Sequence, residues 1–137
     1  MAWRTANSLI RLREQINAMA PNRSKASDGT IGDASHQTRD SDHNPWVRDG
    51  ATGVVTAMDI TEDSGDGCSA EAIVEALVRS RDPRIKYIIW DRKIISSSVS
   101  PWAKRDYNGR NPHTKHFHIS VLPDKAQYDS TADWTIV

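Results

Sequence analysis

Five histidines occur in the 137-residue chain, and they fall in two clusters. Three stand within six residues, in His113-Thr-Lys-His116-Phe-His118-Ile-Ser-Val121. The other two, His36 and His43, lie in Gly32-Asp33-Ala34-Ser35-His36-Gln37-Thr38-Arg39-Asp40-Ser41-Asp42-His43-Asn44-Pro45. If 116–121 is a strand, its side chains alternate between faces. His116, His118 and Ser120 then share one face, while Phe117, Ile119 and Val121 enter a core. Clustered imidazoles with a carboxylate favour a metal or catalytic centre over histidines placed for packing. Asp59 is that carboxylate, because it interrupts an apolar run near the end of a predicted strand. A turn carboxylate is the simpler explanation of Asp59, and a ligand held at a strand end is the functional one.

Catalytic zinc takes three protein ligands and keeps one position for water. The candidate ligands are His43, Asp59 and His118. Zinc acidifies a water and polarises a carbonyl, and the reaction needs a base to carry the proton to the leaving group. His116 lies about 6.5–7 Å from His118 along the same strand face. It can reach the reacting water without being a ligand, and His113 is placed to join it.

These residues must be positioned by ordinary elements. Leu9, Leu12, Ile16 and Met19 recur at spacings of three and four, predicting a packing helix over 7–19, capped by Asn7 or Ser8 and closed by Pro21. Residues 21–53 are polar but hold two histidines, which predicts an ordered irregular active-site segment rather than disorder. Residues 53–60 read as one buried strand. Ala72, Ile73, Ala76 and Leu77 predict a helix over 69–81 with Ser69 as N-cap. Residues 85–90 and 93–97 predict a hairpin turning at Asp91-Arg92. Residues 98–112 read as a polar loop, and 122–137 as a loop and short surface segment with Trp134 packing back. The fold class that follows is α+β: one domain, 1–137, with a small antiparallel sheet carrying Asp59 and His118 on neighbouring strands. Both long helices pack on its other face.

The formal net charge is zero and basic residues are not massed in a block, so general nucleic-acid affinity is not expected. The single cysteine, Cys68, rules out an intramolecular disulfide and has no evident catalytic partner. No run approaches transmembrane length, and no apolar signal-peptide region follows Met1. Synthesis in the cytoplasm and a monomeric state are the expectations.

Ser41-Asp-His43, Ala57-Met-Asp59 and His113-x-x-His116-x-His118 resemble the signature of the LAS zinc peptidases. That group includes D-Ala-D-Ala carboxypeptidase-like enzymes, penicillin-insensitive murein endopeptidases, the lysostaphin group and the zinc domain of hedgehog proteins. The resemblance implies Zn2+ bound by His43, Asp59 and His118, with His116 catalytic and His113 accessory. It implies a hedgehog/D-Ala-D-Ala-peptidase-like fold and a peptidoglycan stem peptide as substrate. Fifteen residues separate His43 from Asp59 here, against six in the family pattern. An inserted hairpin over 45–52 accounts for the difference, and His36 is the alternative first ligand. Arg23, in Arg23-Ser24, echoes an arginine that holds a substrate carboxylate or oxyanion in the family's carboxypeptidases. Arg39 is its competitor, and a surface arginine is the ordinary reading of either. A short chain of this kind resembles a phage endolysin released through a holin, cutting L-Ala–D-Glu. A D,D-carboxypeptidase or endopeptidase is the near alternative. A non-catalytic zinc-binding module and a metal-independent hydrolase using His36, His43 and His113 are the rivals from other classes.

Overall fold

A computed structural model describes residues 2–30, 41–109 and 111–137. His36 and Arg39 therefore lie outside the described residues. The elements run β1 (Trp3–Thr5), α1 (Asn7–Met19), β2 (Val47–Asp49), β3 (Thr52–Val55), β4 (Ala57–Thr61), α2 (Ala70–Ser80), β5 (Ile85–Trp90), β6 (Lys93–Ser96), β7 (Arg105–Asp106), β8 (His116–Val121) and α3 (Lys125–Tyr128). They build two sheets. The larger is antiparallel with strand order β4-β8-β5-β6-β7, and the smaller has the order β1-β3-β2. In the smaller sheet β1 runs parallel to β3 while β2 runs antiparallel to it. The mixed α+β class expected from the sequence is observed. No described helix is long and apolar enough to cross a membrane.

The apolar stripes of both long helices face one core. Leu9, Leu12 and Ile16 of α1 are buried there with Ile73 and Leu77 of α2. Met58 and Ile60 of β4 and Phe117, Ile119 and Val121 of β8 join them. Strand alternation thus sends Asp59, His116 and His118 to the opposite side of the larger sheet. The hairpin expected over 45–52 is present as β2–β3, with Val47 opposite Val54.

The run 53–60 is two strands rather than one. Val55 O accepts from Ala6 N at 3.0 Å, continuing the β1 pairing, whereas Thr56 N donates to Asp42 O at 3.2 Å. Thr56 O then accepts from Val121 N at 2.9 Å. The chain passes from the smaller sheet to the larger at Thr56, and the loop carrying His43 docks at the crossing. The loop read over 98–112 also contains a strand. β7 pairs with β6 through Lys93–Asp106 and Ile94–Arg105, and its short charged segment closes the sheet edge against further pairing.

Ser69 caps α2 as expected, its hydroxyl accepting from Ala72 N at 3.1 Å. Neither Asn7 nor Ser8 caps α1, which begins after Ala6 without a side-chain cap. Asp129 supplies the anion instead, accepting from Asn7 N at 3.1 Å and pairing with Arg4 at 2.7 Å. A carboxylate near a helix N-terminus is favourable whichever part of the chain it comes from.

The C-terminal segment is a strap over α1. Trp134 donates from Nε1 to Ser8 O at 2.8 Å, and its backbone N donates to Gln15 Oε1 at 2.7 Å. The Arg84 guanidinium lies 3.7 Å from the Trp134 ring centroid. Burial of the indole predicts that Trp134→Ala lowers unfolding free energy by about 3–5 kcal/mol in urea denaturation. Trp3→Ala, at an exposed site, should stay within about 0.5 kcal/mol.

Candidate metal centre

Three elements converge on one point. β4 and β8 pair so that Asp59 stands opposite His118 and Thr61 opposite His116. The loop after residue 40 supplies His43, whose backbone N donates to Ser41 Oγ at 3.2 Å. His43 Nε2 lies 3.1 Å from His118 Nδ1 and 3.3 Å from Asp59 Oδ1. His118 Nδ1 lies 3.2 Å from the same oxygen. A tetrahedral ion with bonds of about 2.0–2.1 Å sets its ligand atoms about 3.3 Å apart. The triangle therefore matches three ligands of one small cation.

The tautomers suit that role. His43 Nδ1 donates to Thr30 O at 2.8 Å, which leaves Nε2 as the lone-pair nitrogen of the neutral ring. His118 Nε2 is hydrogen-bonded to Ser120 Oγ at 2.8 Å, so Nδ1 is the nitrogen turned inward. Outer partners of this kind fix ring orientation at metal centres. Burial alone would raise the Asp59 pKa, but His118 and His43 hold the carboxyl far below the usual carboxylate range. Burial works against the charged form of His43, yet Asp59 lifts it above the ordinary imidazole value. His118, wholly buried, is pushed down by burial despite the same carboxylate. An ionised carboxylate and two inward nitrogens make a donor set for a cation.

Ser120, His118 and Asp59 also lie in the order of a hydrolytic triad. Ser120 is fully buried and stands opposite Ala57 and Tyr87 on the neighbouring strands. Its hydroxyl orients His118 and has no path to a substrate.

His116 and His113 adjoin the centre. His116 Nε2 is 3.6 Å from Asp59 Oδ2, and the His113 and His116 rings meet edge to face at 5.0 Å. His113 adopts a left-handed φ of 55°. Its backbone is fixed there by two hydrogen bonds, one from His113 N to Asn111 Oδ1 at 3.0 Å and one from Asp91 N to His113 O at 2.9 Å. Burial and the nearby His118 and His116 push the His113 pKa down to about 4, so it is neutral at pH 7. His116 lines a solvent-open recess with Ser27, Asn111 and Lys115.

Arg23 is not available as a substrate-binding group. Its side chain has no exposed surface and grips Asp28 through two bonds of 3.0 and 2.7 Å, with Nε on Asn17 at 2.8 Å. Asp28 in turn accepts from Thr61 N at 2.8 Å and Thr61 Oγ1 at 2.7 Å. The next residue, Gly29, exchanges backbone hydrogen bonds with Asp59, and the one after, Thr30, holds His43. Arg23 thus anchors the segment that orients a candidate ligand.

Several contributors carry no sequence signal that composition or spacing would raise. Thr30 acts through its carbonyl. Tyr87 stacks on His118 at 5.3 Å and 9° because an irregularity between Ile85 and Tyr87 shifts the register. Such bulges re-aim side chains beside functional sites. Trp90 and Trp102 line a groove against Glu71, Val74 and Val78 of α2, away from the histidines. Trp46 is exposed and donates to Asp42 Oδ1 at 3.0 Å. Cys68 is buried, and burial raises its thiol pKa.

Asp59→Ala should abolish retention of a divalent cation after dialysis, read by elemental analysis, while far-UV circular dichroism stays native. Asp28→Asn should weaken divalent-cation affinity by about 10–100-fold, as loss of an orienting partner does. The folded-state pKa of Asp28 is lowered: Arg23 and Thr61 overcome the opposing effect of burial. Its stabilising contribution is therefore full above the unfolded carboxylate value of about 4 and is lost as pH falls through the folded value. Acid titration of stability should show a shallower decline in Asp28→Asn than in the parent. No protein-family model, curated protein sequence or solved structure gives a significant match to the chain.

Proposed function

We propose that the protein is a zinc-dependent peptidase of the LAS type, hydrolysing an amide bond of the peptidoglycan stem peptide or cross-bridge. L-Ala–D-Glu is the first bond to test, with D-Ala-D-Ala cleavage as the neighbouring specificity. The observation that supports the reading most is the convergence of His43 Nε2, His118 Nδ1 and Asp59 Oδ1 at separations of 3.1–3.3 Å, with a further imidazole beside them. The pairing of the two ligand strands, with helices behind them, supports a hedgehog/D-Ala-D-Ala-peptidase type of fold.

Bound zinc would supply Lewis-acid polarisation of the scissile carbonyl and acidify the attacking water. His116 takes the proton from that water and returns it to the departing amine nitrogen, so both bond changes finish without a free charge on nitrogen. Asp59 Oδ2 beside His116 Nε2 favours the imidazolium formed between the two steps. Neutral His113 stands on the same side and offers an N–H to the developing oxyanion. Arg23 takes no part in that step. Action on the cell wall after release from the cytoplasm belongs to the same proposal.

Mass spectrometry of muropeptides digested with zinc-loaded protein tests it and identifies the bond. New amino and carboxyl termini are expected from at least one chemotype. Zinc retained with no cleavage of any chemotype would sink the peptidase reading in favour of a binding module. His116→Ala should keep one tightly bound zinc and reduce kcat by about 10²–10⁴-fold.

A further inference from the structure

The two oxygens of Asp59 face different histidines. Oδ1 lies 3.3 Å from His43 Nε2 and 3.2 Å from His118 Nδ1. Oδ2 lies 3.6 Å from His116 Nε2. Asp59, His113 and His116 each offer a ligand atom, and these atoms lie within 4.8 Å of one another. A separate observation points the same way. His113 Nδ1 and both ring nitrogens of His116 are buried without a hydrogen-bond partner in the protein. Imidazole nitrogens shut from water without a partner are unfavourable, and a cation that accepts the one lone pair of each neutral ring relieves one nitrogen of each.

We propose that Asp59, His113 and His116 form a second, weaker divalent-cation site, bridged to the first through the Asp59 carboxylate, and that its occupation stops proton transfer by His116. A carboxylate sharing its two oxygens between two ions is a recurrent feature of two-metal centres. Two imidazoles with one carboxylate suit zinc and similar transition metals rather than calcium or magnesium. The second site is the weaker for two reasons. The Asp59 Oδ2–His116 Nε2 separation of 3.6 Å exceeds every side of the 3.1–3.3 Å triangle of the first, and a single carboxylate serves both dications. Once seated, the ion occupies the lone pairs that would otherwise accept the proton. The effect on turnover rests on the peptidase reading, whereas the site itself does not.

Calorimetric titration of zinc-free protein with zinc chloride at neutral pH tests the site directly. Two events are expected, the second weaker by roughly 100-fold, as reduced ligand charge and looser geometry dictate. His113→Ala and His113→Gln should each remove the weaker event and keep the tight one, which also reports that the variants fold. His43→Ala should remove the tight event. On muropeptides, cleavage should rise to one equivalent of zinc and fall as the second event saturates. A single event up to millimolar zinc overturns the proposal, as does a weak event that survives in both His113 variants. Cleavage that stays constant while the weak event saturates overturns the inhibitory role. Two events with no cleavage at any zinc level uphold the second site and remove the peptidase reading.

Discussion

The arrangement depends on keeping one carboxylate ionised where water barely reaches. Asp59 lies on the first strand of the larger sheet, under the Gly29 segment, with 18% of its side chain exposed, where desolvation alone favours the neutral acid. Imidazoles on both sides reverse that preference. A charge held in this way needs its partners fixed in place, because removing one leaves the charge uncompensated. The partners come from the His43 loop and β8, and a third stretch, at Gly29, braces the Asp59 backbone. Each is held by backbone pairing rather than by a flexible side chain reaching across: the β4–β8 register for His118 and His116, the Gly29 bridge for the preceding segment, and the Thr56–Asp42 bond for the loop of His43.

Behind the ligands stands a second set of groups with its own logic. The pair Arg23–Asp28 is buried, so its worth is positional more than energetic. Asp28 spends both oxygens on Arg23 and Oδ1 also on Thr61, which fastens the segment 23–30 along β4. That leaves the Thr30 carbonyl aimed at His43 Nδ1. The choice of which His43 nitrogen faces the centre is thereby made several residues away from the centre itself.

The candidate ligands and their neighbours were legible because each signal was local. The alternation in 116–121 separates imidazoles from core residues within six positions, and the spacing of Leu9, Leu12 and Ile16 reads directly as a buried helix face. Other features were hidden by their physics. Val54, Val55, Ala57 and Met58 flank a single Thr56, a residue as common within buried strands as between them, so nothing in composition marks it as a crossing between sheets. The cap of α1 comes from Asp129, far along the chain, and local capping rules look only at Asn7 and Ser8. The shift near Lys86 that turns Tyr87 toward His118 has no residue signature. Arg23 was misread because a guanidinium pairs equally well with an internal carboxylate and with a ligand's.

The strand order β4-β8-β5 carries a consequence for how the molecule comes into being. β8 lies between β4 and β5 and is the last strand of the larger sheet to leave a ribosome. Until residue 121 has emerged, β4 and β5 have no shared neighbour, and the core face of the sheet lacks Phe117, Ile119 and Val121. Contacts this distant in sequence form slowly. The nascent chain therefore carries His43 and Asp59 without His118 until β8 has emerged. Closure of the sheet and arrival of His118 are one event, so the candidate centre is completed all at once.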